Sequence, residues 1–317
     1  MMKISPGAVG NTSNHRSKTE SISHIHEHHQ EATSMTRLRC AVSLLWFLAS
    51  STLPAQEIAA ITEEIARLDP QLEETSGLAW HAGAWWTHND SGDEPRIFRL
   101  NSQGRIAHQV AISNADHVDW ESMAQDADYL YIADTGNNFN LRSTLQIYRL
   151  AWADLAADTA RAELITVRYA DHQGGSPGSH NFDAEALAVR GEQLWLFSKN
   201  RGDLQTKLYA FPKAPGNYRS APLQILPVDA LITGADIHPD SGELALTGTR
   251  NFEASFVWWA PSSAQGVNWS AMASMEILPE DQWEAVLWDR QNSDRLILTH
   301  ERNRRRYAGL AGVVLPR

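Results

Sequence analysis

Sulfur chemistry is almost missing from this chain: its 317 residues include a single cysteine, Cys40. No internal disulfide, thiolate-rich metal site or paired redox cysteines can form, so stability must come from burial and backbone pairing. Positive charge is also scarce. Lys and Arg number 27 against 38 Asp and Glu, giving a formal net charge of −11. Such a surface repels nucleic acid and anionic headgroups and suits solubility or cation capture. Long apolar runs are absent as well. The longest, Cys40 to Ala49, is about ten residues and too short to span a bilayer.

That short run has a function-bearing context. Met35 opens a segment with Arg37 and Arg39, the apolar stretch, and small residues ending near Ala55, which is the three-part pattern of a secretory signal. Residues 1–34 are polar, rich in Ser, Thr and His, and without apolar periodicity, so they read as a disordered or non-native extension. His24, His26, His28 and His29 lie there and read as compositional bias rather than as a metal site. The expected organisation is an extension at 1–34, a signal peptide at 35–55 and one domain at 56–317, with a periplasmic or secreted destination. No transmembrane segment is expected in the mature chain.

Within 56–317 the apolar runs are short, β-branched or aromatic, and set between Gly, Asn, Asp and Pro, as in Leu130-Tyr131-Ile132, Leu194-Trp195-Leu196-Phe197 and Leu296-Ile297-Leu298. This is strand texture. Only a few stretches, such as Ile58–Leu68 and Leu155–Leu164, read as helical candidates. A repeat runs through the strands: Glu74-Thr-Ser76, Asp119-Trp-Glu121, Asp183-Ala-Glu185, Thr233-Gly-Ala235 and Gln282-Trp-Glu284 each start an apolar strand. Positions 76, 121, 185, 235 and 284 are spaced at blade-sized intervals. The expectation is an all-β, five-bladed propeller, with six blades as the alternative, closed by the N-terminal strand pairing into the last blade. The long interval between Glu121 and Glu185 is assigned to a Gly-rich insertion at Asp171–Asn181.

First strands line a propeller's channel, so the repeated acids should crowd one end of the axis. Repelling carboxylates take up protons, pair with cations or bind a metal. The candidate metal ligands are Asp90, Glu121, Asp134, Asn137, Asp183 and Glu185, oxygen donors of the kind Ca²⁺ prefers. Asn89, Glu284, Glu301 and Lys199 are candidate ligand-binding residues. His88 and His300, at matching second-strand ends, are the candidate proton carriers. Trp120 and Trp283 share a repeat position and read as blade packing. The Arg302–Arg306 run reads as a solvated loop in the last blade.

Glu74-Thr75-Ser76-Gly77-Leu78, Trp86 to Gly92, Asp119-Trp120-Glu121, Ile132 to Asn138 with Arg142, Asn181 to Glu185 and Ser198-Lys199-Asn200 resemble a group of secreted bacterial propeller proteins of largely unassigned function. More distantly they resemble the gluconolactonase/paraoxonase-type and phytase-type metal-dependent propellers. That likeness implies a Ca²⁺ or similar divalent cation held near the channel by Glu, Asp and Asn, with substrate approaching from the same end. The fourth repeat lacks the acids, so the ligands of those families do not carry over one to one. Two functions follow: a cation-holding module that binds a small molecule or an envelope protein, or a Ca²⁺-dependent hydrolase of an ester, lactone or phosphate ester.

Overall fold

In a computed structural model the described residues are 59–173, 176, 179–251 and 253–316. The expected extension and signal peptide lie outside them. Five antiparallel sheets follow one another along the chain, each beginning at the innermost strand. Blade 1 comprises Thr75–His81, Ala84–Asn89, Arg96–Leu100 and Ile106–Ile112. Blade 2 comprises Trp120–Gln125, Tyr129–Asp134, Leu145–Ala151 and Glu163–Tyr169. Blade 3 comprises Ala184–Arg190, Gln193–Ser198, Thr206–Pro212 and Pro222–Leu226, and blade 4 comprises Leu231–Ile237, Glu243–Arg250, Ala254–Ser263 and Ala273–Leu278. Blade 5 takes Trp283–Trp288, Arg295–His300 and Gly309–Val314 from the C-terminal end and its outer strand, Glu63–Arg67, from the N-terminal end.

Each innermost strand touches the next, and that of blade 5 touches that of blade 1, so the ring is closed at five. The lock is the antiparallel ladder from Glu63↔Gly312 to Arg67↔Gly309. The core is correspondingly divided into five apolar wedges, one between each pair of neighbouring blades. Trp195 and Phe197 of blade 3, for example, pack with Leu246 and Trp258 of blade 4. Trp120 and Trp283 are fully buried in such wedges, as their shared repeat position suggests.

The two helical candidates are not helices. Ile58–Leu68 contains the strands Ala59–Ile61 and Glu63–Arg67. Leu155–Leu164 contains the end of a 3₁₀ turn, the short strand Thr159–Ala160 and the start of Glu163–Tyr169. Their apolar spacing serves edge protection instead. Thr159–Ala160 pairs in parallel with the outer strand of blade 1, Gly216–Ser220 with that of blade 2, and Ala59–Ile61 with that of blade 4. Each strap comes from the blade after the one it covers, and covering an edge satisfies otherwise open backbone groups. On blade 3 the Gln224 side-chain amide does the same work, accepting from Val267 N–H at 2.8 Å and donating to Val267 O at 2.9 Å. The long interval in blade 2 is therefore partly this strap, as well as the Asp171–Asn181 segment.

One irregularity recurs in every blade. The innermost strand shifts register between Thr75 and Leu78, Trp120 and Ser122, Ala184 and Ala186, Ile232 and Gly234, and Trp283 and Ala285. A bulge leaves one residue outside the ladder and re-aims its side chain. The bulged residues are Ser76, Glu121, Glu185, Thr233 and Glu284. The fourth repeat must therefore be aligned on Thr233, not on Ala235, because the ladder rather than the apolar count sets equivalence.

Removing residues 1–67 strips the closing strand and the strap on blade 4. The expected result is loss of the cooperative thermal transition in circular dichroism; a truncated chain melting like the full one would contradict closure through Glu63–Arg67.

Candidate metal centre

The bulges build one ring of side chains and the ladder builds a second. Opposite the residue before each bulge stand Asn89, Asp134, Ser198, Gly248 and His300. The residues that follow these are Asp90, Thr135, Lys199, Thr249 and Glu301. Asp90, Lys199 and Glu301 are tied at equivalent points, their N–H groups donating to the carbonyls of Glu74, Asp183 and Gln282 at 2.8, 2.9 and 3.2 Å. Bulged Glu121, Glu185 and Glu284 thus meet Asp90, Lys199 and Glu301 at one end of the channel. Asp119 and Asp183, two residues before Glu121 and Glu185 in the pattern's first acidic position, complete the cluster.

Carboxylate oxygens of Asp90, Asp119 and Glu121 lie within 4.8 Å of one another, and so do those of Glu121, Asp183 and Glu185. The two triads share Glu121 but differ in charge balance. In the second, Arg201 Nη2 stands 2.9 Å from Asp183 Oδ2 and 3.5 Å from Glu185 Oε1, and Lys199 Nζ bonds Glu185 Oε2. Among the described residues nothing comparable reaches the first. Glu121 is 4% exposed, and its carboxylate has no hydrogen-bond or ion-pair partner among the described residues. Gly136 closes the wall behind it: a Cβ there would collide with the carboxyl groups of both Glu121 and Asp119.

The electrostatic consequence is proton retention. Burial, then the neighbouring Glu185, Asp90, Asp183 and Asp119, hold the Glu121 carboxyl well above the ordinary range. Burial with Asp119 and Glu284 nearby raises Asp90 to about 7 against the Ser91 N–H, and burial with Asp183 raises Asp119 to about 6 despite Arg142. Glu301 is raised to about 9 by burial and by Glu284, Asp90 and Glu74. Burial also raises Glu185 and Glu284, with Lys199 opposing in both. Burial disfavours the Lys199 ammonium, but Glu185, Glu284 and Glu121 outweigh it and keep the group charged.

Of the candidate ligands, Asp90, Glu121, Asp183 and Glu185 come together in these triads, and Asp119 joins them. Asp134 lies outside both. It is fully buried, pairs with Arg142 at 2.9 Å and accepts the Asp119 N–H at 3.0 Å, so it positions the Asp119 segment. Asn137 spends its side chain on local backbone, donating to Arg142 O and Phe182 O and accepting from Arg142 N–H. Its own N–H donates to Asp183 Oδ1 at 2.7 Å. Asn89 points its amide at Gln71 O and Asp93. Lys199, Glu284 and Glu301 do belong to the channel end.

The two histidines are not at matching positions. The ladder pairs His300 with Trp283, which makes Asn89, not His88, its counterpart. His88 is fully buried, edge-on to Trp120, with Nδ1 2.8 Å from Asn89 O, and burial lowers it to about 4. His300 is 1% exposed, edge-on to Trp283 and beside Asp281, and burial lowers it as well. Both are packed into the blades. Gly174-Gly175-Ser176-Pro177-Gly178 spells the Gly-x-Ser-x-Gly of a nucleophile elbow, but the next described element after it in the chain is the strand Ala184–Arg190 rather than the helix that motif needs.

No protein family and no curated protein matches the sequence. Among solved structures, the chain is similar to an exo-β-1,3-galactanase from Clostridium thermocellum, at 9% identity and a TM-score of 0.47, covering 80% of this chain and 62% of that one. It is similar to a glucose dehydrogenase at 10% identity and a TM-score of 0.46, covering 80% and 99%, and to a hypothetical protein from Leishmania major at 10% and 0.46, covering 80% and 91%. The five-bladed architecture rests on this chain's own strand pairing.

Where the fourth repeat lacks acids the surface opens. A cavity of about 450 Å³ lies between blades 4 and 5, lined by Thr233, Thr249, Ser255, Trp283, Glu284 and, from blade 3, Lys199. Lys199 and Glu284 connect it to the carboxylates.

A carboxyl raised in the folded state binds its proton more tightly than the unfolded chain does. Its stabilisation is complete below the unfolded value and is lost as pH rises through the folded one. In chelator, the melting temperature should fall from pH 5 to pH 8 as Asp119 and Asp90 ionise. Glu121→Gln, which puts a permanently neutral group where the carboxyl must hold a proton against its ordinary value, should stabilise the ion-free protein at pH 8 by about 1 kcal/mol or more in urea unfolding.

Proposed function

We propose that this protein is an exported propeller that binds a small molecule at a divalent-cation site in its channel mouth. The observation that carries the reading is the unpartnered, buried Glu121 carboxylate facing Asp90 and Asp119, beside a second triad already neutralised by Lys199 and Arg201. Buried anions are retained only when paired, protonated or metal-bound. Three carboxylates and no nitrogen or sulfur donor favour a hard ion, and Ca²⁺ fits better than a transition metal. Such an ion would fix the channel end and present a Lewis-acidic face to whatever enters the cavity beside Lys199 and Glu284. A periplasmic or secreted location would suit such a site, since Ca²⁺ is abundant outside the cytoplasm.

Binding is favoured over hydrolysis by the placement of the proton carriers. A hydrolytic reading needs a base within hydrogen-bond reach of the attacking water, and His88 and His300 are enclosed in blade packing. Asp90 and Asp119, the remaining groups with near-neutral values, are the ones that would be consumed in holding the ion.

Calorimetric titration of the chelated protein with Ca²⁺ should show one saturable event that raises the melting temperature. Affinity should increase from pH 6 to pH 8, since Asp119 and Asp90 must lose protons to bind. Glu121→Gln should weaken it about 100-fold and Asp119→Asn about tenfold. Absence of saturable binding to any divalent ion overturns the reading. Turnover of aryl esters, lactones or phosphate esters, lost in Glu121→Gln, would replace the binding function with the hydrolytic one.

A further inference from the structure

The connection between Arg295–His300 and Gly309–Val314 carries Arg302, Arg304, Arg305 and Arg306, a concentration of positive charge that the acidic channel does not use. Arg302 is occupied by Glu73, and Arg306 by Asp281 at 2.8 Å, with Glu64 at 3.9 Å. Arg67, Arg304 and Arg305 have no carboxylate partner among the described residues. Arg67, the last residue of the closing strand, instead lays its guanidinium over the Tyr307 ring, 2.9 Å from the centroid. Between them is a cavity of about 280 Å³, distinct from the one at the channel mouth and lined by Glu64, Arg67, Arg305, Arg306, Tyr307 and the Ala308–Gly309 backbone.

The loop holding these arginines is pre-shaped. Asn303 Oδ1 accepts the N–H groups of Arg305 and Arg306 at 2.7 and 2.9 Å, and Asn303 N–H donates to Arg306 O at 3.0 Å. Asp281, whose side chain is fully buried, fastens both ends by accepting from Asn303 Nδ2 at 2.6 Å and from Arg306 Nη1 at 2.8 Å. A site already ordered spares much of the entropy cost of binding. Unpaired guanidinium groups gathered in a concavity of a strongly acidic protein match an oxyanion. Their planar fork suits phosphate or sulfate oxygens, and a stacked Arg keeps its N–H edge free to donate.

We propose that this cavity is an oxyanion-binding site for a phosphate-type group, held by Arg67 and Arg305 and closed on one side by Tyr307. The dominant charge at the cavity is positive because Arg306 is shared with Asp281 and Glu64 while Arg67 and Arg305 are not. The site is independent of the cation centre. Asn303 lines the channel-mouth cavity and Arg305 the basic one, so the loop forms a wall between them. The phosphate-type group can arrive as free phosphate or on an anionic lipid headgroup.

The test uses the full mature protein in chelator, so that the cation centre plays no part. Inorganic phosphate titrated at low ionic strength should bind saturably. Arg67→Gln and Arg305→Gln should each weaken binding about tenfold, and Arg302→Gln, whose guanidinium is occupied by Glu73, should leave it within about twofold. Far-UV circular dichroism checks that the variants fold. Co-sedimentation with phosphatidylglycerol vesicles, compared with phosphatidylcholine, distinguishes the sources: retention on the former that is lost in Arg305→Gln identifies the headgroup, and phosphate binding without retention identifies the free anion. Either supports the site. Equal phosphate affinity in wild type, Arg67→Gln and Arg305→Gln, non-saturable binding, or a preference for simple carboxylates such as acetate overturns it.

Discussion

Pairing of Glu63–Arg67 with Gly309–Val314 is the contact on which everything else is arranged. Each apolar wedge is made by two different blades, so no blade buries its own face alone, and the wedge between blades 5 and 1 exists only if the chain's two ends meet. Leu287 and Ile297 from one side and Leu78 and Phe98 from the other share that wedge with Ala66 and Leu68 of the closing segment. The channel end inherits its geometry from the closure. Glu284 and Glu301 of blade 5 approach Asp90 of blade 1 across the same seam, and their mutual electrostatics depend on it.

Crowding acids at the axis runs against burial, and the fold offsets it unevenly. On the side of blades 2 and 3, Arg142, Lys199 and Arg201 are delivered to Asp134, Glu185 and Asp183 by the connections that follow the second strands of those blades. On the side of Asp90 and Asp119 no ion pair of that kind forms among the described residues, and Gly136 packs so close that a Cβ there would collide with the Glu121 and Asp119 carboxyls. This contrast inside one cluster, rather than the count of acids, is what supports the proposed cation site. The basic concavity at Arg67 and Arg305 is the complementary case: Glu64 also lines it, but Arg67 is stacked on Tyr307 and Arg305 stands on the loop tied to Asp281, neither in an ion pair among the described residues.

Much of the fold was legible because a propeller writes itself as repetition. Strand texture, blade-sized spacing and the leftover N-terminal strand pointed to five blades closed by the chain's beginning, and Glu121, Glu185 and Glu284 stood out because turn-making does not require them. The Arg302–Arg306 run was readable as a loop of the last blade for the same reason. The straps were not. Thr159–Ala160 and Ala59–Ile61 pair in parallel with strands of other blades, and nothing local distinguishes such a segment from a short helix.

Residue identity and order determined which chemistry was available: oxygen donors without sulfur, more acid than base, and a repeating acidic step at the start of each blade. Only the tertiary structure decided which of those groups meet. Asp134 and Asn137 are as acidic or polar as Asp119, yet Asp134 is engaged by Arg142 and Asn137 by main-chain groups of Arg142 and Phe182. His88 and His300 look equivalent along the chain but sit one register apart across it, and the bulge makes Thr233 rather than Ala235 the fourth member of the ring. A one-residue difference in register changes the direction a side chain takes, and register is set by the ladder and by neighbouring blades, which a linear pattern does not contain.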